Sequence, residues 1–330
     1  MSVDLLAASV STVLESTAPP SARAASAVPT SVVLSPEQWR DREARHQARA
    51  DALSAGRRAR SGTGATHPVD DFLFTYYPMR PGLLRRWHPG AGARLEGAAS
   101  EERASWKWYA SRGDDSYVDA HAFVGTTERS LRFIVNLLGS TAARPASFGC
   151  FGLHEWAMVY RQEEHRHEAP LRLSQDTTDT VVESHKIVCT HFDAFRFFTP
   201  PAIGLNRLDP TRENQPQLEQ PGCLHAGMDV YKWATKLGPL VPGELLLDAF
   251  ELARDIRQVD MRASPYDLSA WGYEPIAIET PDGKAHYVRA QREFAERGNV
   301  LRGRLIAAVA PLLPEAPLPM RVSTGGARKI

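Results

Sequence analysis

A chain of 330 residues, 43% apolar and 24% charged, has the length for one large domain or two modest ones and the composition of an ordinary globular protein. Its 39 basic and 39 acidic residues cancel, so no global field draws it toward nucleic acid or an anionic membrane, and any basic surface is local. Three widely spaced cysteines (Cys150, Cys189, Cys223) do not form a disulfide framework, and no apolar run approaches the roughly 18 residues of a membrane span.

The first residues lack the basic segment of a secretory signal, which predicts a cytoplasmic protein. Residues 1–34, rich in Ala, Ser, Thr, Val and Pro, read as a disordered extension. Ser35-Pro36-Glu37-Gln38 is a helix start, with Ser35 as cap and Gln38 closing a capping box, and the helix is expected to run to about Ala55. Its alternating Arg and acidic residues suit a solvated face. Asp70–Gly90 then interleaves Tyr76, Tyr77 and Trp87 with Arg80, Arg85 and Arg86. Arginines contact phosphates and exposed rings stack on unpaired bases, so this segment is either a DNA-binding surface or a structural loop with its rings in the core. Trp106 and Trp108 flanking Lys107 could line a pocket or cap a core.

Arg129–Gly139 has a helical apolar pattern with Gly139 as a plausible stop. Phe148–Gln162 carries His154-Glu155 among aromatic residues and is ambiguous between helix and strand. Glu163–Glu168 (EEHRHE) reads as a solvated turn, and Ala169–Ser174 as a short strand. In Ser184–Pro201, His185, Cys189, His191 and Asp193 sit among four phenylalanines. Strand alternation over Cys189–Phe197 places His191 and Asp193 on one side, about 7 Å apart along the strand, where both reach one ligand. A carboxylate among rings is poorly solvated and therefore a candidate for acid/base work, although a purely structural His–Asp bond is the competing reading.

After a polar loop at 202–222, Cys223–Leu237 and Glu244–Met261 are the clearest helices. Leu245, Ala249, Leu252, Ile256 and Val259 form a 4-3-4-3 core stripe. His225 and Asp229 lie one turn apart on the first helix, and Asp248, Glu251 and Asp255 flank the stripe of the second. These five are candidate ligands for a transition metal, without any of the sharp metal motifs. Pro275–Arg289 reads as a hairpin turning at Thr280–Gly283, Ala290–Leu313 as helix, and 314–330 as a loose tail. The expected architecture is a single, mainly helical α+β domain over 35–313 with small antiparallel β elements.

Four blocks, at 67–90, 151–161, 189–200 and 223–237 with 260–268, make the chain similar to an actinobacterial family named 3-methyladenine DNA glycosylase. The resemblance spans about 35–310 and implies a DNA-repair hydrolase that excises alkylated bases from double-stranded DNA. It implies no cofactor, no membrane and no obligate protein partner, and a nucleoid-associated location. The chain lacks the helix-hairpin-helix and downstream Asp of the best-known alkyl-base glycosylases, so catalytic residues do not transfer by motif. On this reading Asp193 steadies the cationic sugar centre, with His191, His154 and Glu155 assisting, and the Tyr76–Trp87 segment holds DNA. A helical metalloenzyme (hydrolase or oxygenase) and a non-catalytic nucleic-acid-binding module are the alternatives.

Overall fold

The computed structural model describes residues 32–77, 79–163 and 169–314. Residues 1–31, residues 164–168, where a solvated turn is expected, and residues 315–330 lie outside these.

Strand β1 (Val32–Leu34) opens the fold and pairs in parallel with β2 (Ala93–Leu95). The expected disorder therefore does not extend to residue 34. Leu34 is buried with Trp39, Trp87, Leu95 and Ala98, and that small core orders the strand. β3 (Tyr109–Arg112) and β4 (Asp115–Val118) complete a sheet of order β1-β2-β4-β3. Every pair except β1–β2 is antiparallel, so the sheet is mixed.

The fold is mainly helical α+β. Helix α1 (Pro36–Leu53) starts as its sequence says: Ser35 and Gln38 exchange both capping-box hydrogen bonds. α2 (Ala120–Ala143) begins well before Arg129, capped by Asp119 accepting from the Ala122 amide, and runs through Gly139. Nothing lies within 4 Å of a side chain at Gly139, so an internal glycine is tolerated there on the surface. α3 (Leu153–Ala157) is a single buried turn, and α4 (Gln175–Glu183) is capped by Ser174. The strand expected at Ala169–Ser174 is reduced to one bridge between Leu171 and Tyr266. α5 (Phe192–Phe195) is another single turn.

α6 (Leu224–Leu237), α7 (Gly243–Arg262) and α8 (Pro281–Val309) form the central bundle with α2. The predicted stripe on α7 is real, with Leu245, Ala249, Leu252 and Ile256 each at most 3% exposed and Val259 only partly buried. Each fully buried Leu or Ile contributes about 1.5–3 kcal/mol, so this stripe is what fastens α7 to its neighbours. The hairpin expected at Pro275–Arg289 is absent. Thr280 instead caps α8 by accepting from the Gly283 amide, and Pro281 takes the first helical position. Thr-Pro-Asp-Gly satisfies a turn and a helix start equally well, and burial of Tyr287, Phe294, Leu301 and Leu305 along α8 decides for the helix. A continuous core runs from Ala50 to Val309. Among the described residues, no helix is long and apolar enough to cross a membrane.

Candidate metal centre and its pocket

The centre begins at the turn before α3. Phe151 and Gly152 both adopt positive φ (48° and 73°), which turns the chain sharply and drives LHEWA into the interior. His154 and Glu155 meet His225 of α6 and Asp260 of α7, each offering a ligand atom within 4.8 Å of the others. A second group, His191, Glu219 and Asp229, satisfies the same condition. His225 joins the two: its ring centroid is 4.3 Å from that of His154 and 5.4 Å from that of His191. The i, i+4 spacing of His225 and Asp229 places both on one buried face of α6, as the helical period requires.

All seven side chains are buried. Arg257 answers part of the negative charge, with Nη1 3.1 Å from Glu155 Oε1 and 3.7 Å from Asp260 Oδ2. Lys232 answers another part, donating to Asp229 Oδ2 at 2.7 Å and Asp193 Oδ2 at 2.8 Å. Tyr77 donates to Asp229 Oδ1 at 2.9 Å, and Gln215 to Glu219 Oε1 at 2.5 Å. Burial opposes charge on His191, but Glu219 and Asp229 override it and push its pKa up to about 9. His154 is raised by Asp260 in the same way, against its own burial. His225 goes the other direction: burial, then the neighbouring His154 and His191, hold it neutral far below its ordinary range. Burial would raise Asp229, yet Lys232 and His191 hold it well below the usual carboxylate range.

Several atoms here have no hydrogen-bond partner: both ring nitrogens of His191, Nδ1 of His225, Nε and Nη2 of Arg257, and Oδ1 of Asp260. His191 Nε2 lies 3.2 Å from Glu219 Oε1 and 3.4 Å from Asp229 Oδ2, close enough for attraction but off the line of a hydrogen bond. The three free cysteines border this centre around a cavity of about 10 Å³, Cys150 Sγ lying 3.7 Å from His154 Nδ1. Burial pushes the Cys223 thiol up to about 12 and Cys189 higher than its ordinary range, so both remain protonated.

Beside the centre opens a pocket of about 840 Å³. Its wall comes from α2, α5, α6 and the segment around Tyr76, and it contains Tyr77, Gln215 and Lys232. These are the residues that hydrogen-bond Asp229 and Glu219, so the pocket wall and the centre are one side chain apart.

The sequence-derived site is partly assembled and partly dispersed. His154, Glu155, His191, His225 and Asp229 converge. Asp193 stands at their edge: it lines a small cavity of about 20 Å³ with Glu155, His225 and Arg257, and Lys232 links it to Asp229. No strand forms at Cys189–Phe197; His191 precedes α5 and Asp193 lies in its first turn, so they meet only through Asp229 and Lys232, His191 approaching Asp229 and Asp193 accepting from Lys232. Asp193 faces the pocket, paired with Lys232 and with Arg196 at 3.1 Å. His185 is peripheral, hydrogen-bonded to the Val181 carbonyl. Asp248, Glu251 and Asp255 lie on the other side of α7, bound to Arg49, Arg304 and Arg297, and are not ligands of this centre. The Tyr76–Trp87 segment also divides. Trp87 is fully buried with its indole donating to Glu244, and Tyr77 is 4% exposed, so neither ring is free to stack on a base. Arg80, Arg85 and Arg86 are exposed; Arg85 pairs with Asp51 and Arg86 lies over Trp106. Of that set Tyr76 and Tyr77 reach the pocket.

Sequence reasoning missed Glu219, Arg257 and Asp260; it offered Lys232 only as a surface partner of Asp229, and the pair forms with Asp229 buried. Asp260 and Arg257 carried a signal, since they sit three apart on the buried side of a strongly amphipathic helix, where unpaired charge is costly. Glu219, in an irregular segment, carried none. Comparison with known proteins found no matching family model, no matching curated protein and no matching solved structure.

Proposed function

We propose that the protein is a metal-dependent hydrolase that activates water at the His154–His225–His191 centre. The observation that carries this reading is that buried atoms of His191, His225 and Asp260 lack a hydrogen bond inside two adjoining groups that together hold three histidines and four carboxylates. Each unsatisfied buried polar atom costs about 1–3 kcal/mol, and a bound cation removes several such penalties together. The donors are nitrogen and oxygen, which suits zinc, manganese or iron, and a cation binding there would displace the protons that the carboxylates otherwise hold on His154 and His191.

A divalent cation held there supplies a water of lowered pKa and polarises a substrate oxygen. The chain's own part follows from its contacts. Tyr77 and Lys232 fix both oxygens of Asp229, and Gln215 orients Glu219. Arg257 holds Glu155 and Asp260 in place from behind. Outer contacts of this kind set ligand orientation and basicity. Burial of the centre excludes bulk water, and Lys232 bridges it to the pocket.

Elemental analysis of untagged protein, purified without chelator, tests the reading. About one or more equivalents of zinc, manganese or iron are expected, reduced by His225→Ala and Asp260→Asn and retained in Glu251→Gln. Metal-free protein whose melting temperature ignores added zinc, manganese and ferrous iron would overturn it.

One observation favours a second reading, base excision. Asp193 is the carboxylate that faces the pocket beside Tyr76 and Phe192, and Lys232 and Arg196 pair with it. That is the group an oxocarbenium-like centre requires, as the sequence resemblance implies. Release of 3-methyladenine from alkylated duplex DNA, lost in folded Asp193→Asn, is its signature; absence of release disposes of it.

A further inference from the structure

We infer that the 840 Å³ pocket binds a small phosphate ester carrying an aromatic ring, of the mononucleotide kind, and presents it to the centre. This deepens the hydrolase reading and rests on it. The argument starts from charge. In a chain whose net charge is zero, five cations line this pocket against the single carboxylate of Asp193. Asp193 is already matched by Lys232 and Arg196. Arg129, Arg212 and Lys236 have no carboxylate partner among the described residues. They come from three separate segments, α2, the 202–222 stretch and α6, so their convergence is a product of the fold. Clefts lined by one sign of charge concentrate counter-ions, and a phosphate is the anion for which arginine's paired donors are shaped.

The apolar half of the wall is aromatic. Phe133 is 39% exposed and meets Trp233 edge-on at 6.1 Å, while Arg212 lies over the Phe192 ring at 5.5 Å. An exposed phenylalanine beside cations leaves a π-face for a flat ring next to a phosphate site. The volume falls within the roughly 300–1,000 Å³ of small-molecule sites. Three lining residues, Tyr77, Gln215 and Lys232, hydrogen-bond directly to Asp229 and Glu219, so a ligand in contact with them is one side chain from the centre.

The test is titration calorimetry on the metal-loaded full chain with adenosine 5′-monophosphate, adenosine, ribose 5-phosphate and inorganic phosphate. The monophosphate is expected to bind at least tenfold more tightly than any of the other three, and to weaken as salt is raised. Arg212→Gln and Lys236→Gln should each weaken it fivefold or more with melting temperature and metal content unchanged. Phe133→Ala should weaken the monophosphate and adenosine but leave ribose 5-phosphate unaffected. No binding, equal binding of adenosine, or displacement of the monophosphate by a duplex oligonucleotide of far higher affinity would each overturn the inference, the last assigning the pocket to nucleic acid. Metal content on the same samples separates the two proposals. Metal-replete protein that ignores the monophosphate refutes this site alone, whereas metal-free protein that binds it refutes the hydrolase.

Discussion

Replacing Arg257 by Met tests whether the centre is held by charge. The guanidinium is 1% exposed, 3.1 Å from Glu155 and 3.7 Å from Asp260, and lies 3.9 Å over the Phe72 ring. Met keeps most of the stem volume and the contact with Phe72, so the lost stability reports on the charge. Breaking a buried ion pair costs about 3–5 kcal/mol when the remaining ion is bare, and Asp260 keeps His154 Nε2 at 3.2 Å, so the low end, about 3 kcal/mol, is expected. With a urea slope of about 2–3 kcal/mol per molar, the unfolding midpoint should fall by roughly 1–2 M with the slope unchanged. Saturating zinc or manganese should restore part of the loss, because a cation held as proposed would lie beside the same carboxylates. Glu251→Gln is the control. Its partner Arg49 is 33% exposed, so screening limits that loss to about 1 kcal/mol or less. A loss below about 1 kcal/mol in Arg257→Met would show that Glu155 and Asp260 do not depend on the buried cation, and the electrostatic account of the centre would fail.

Other parts of the fold give independent tests. Ser35→Ala removes one half of the capping box of α1 and should lower stability by about 0.5–2 kcal/mol in urea unfolding. Gly227→Ala places a methyl 2.7 Å from Ile256 Cδ1, the end of a side chain that can turn aside, and gains about 1 kcal/mol of helix propensity, so thermal or chemical unfolding should shift by about 1 kcal/mol or less. Asp71, although desolvation opposes its charge, is held below its ordinary value of 3.8 by Arg60 and the His67 amide. A lowered folded-state value stabilises the fold above the unfolded pKa, and that stability is lost as pH falls below 3.8 through the folded value. Urea midpoints at pH 6 and pH 3 should therefore differ more for the native chain than for Asp71→Asn; equal differences would refute the pairing.

Local signals in the sequence were read correctly where one residue type has one physical use. Ser35 and Gln38 close their capping box, and the apolar stripe of α7 is buried. They failed where one signal serves two structures. Thr280-Pro281-Asp282-Gly283 begins a helix as readily as it turns a hairpin, and only the burial of the residues after it selects the helix. The Cys189–Phe197 segment alternates like a strand but finds no neighbouring strand to pair with, so its backbone closes into the short turn of α5.

The candidate site divides the same way. Helical spacing alone put His225 beside Asp229, and adjacency put His154 beside Glu155. That Glu219 and Asp260 complete the two groups could not be read from spacing, because they arrive from an irregular segment and from a different helix. Nor could the sequence separate Asp260, wholly buried at the centre, from Asp248, Glu251 and Asp255 on the opposite side of the same helix. Composition and periodicity settled the fold class and the main helices, since those depend on interactions a few residues apart. Which carboxylates lie beside which histidines, and which arginines remain unpaired around the pocket, was decided by helix packing across long chain separations, where burial and charge pairing act between segments with no pattern in common.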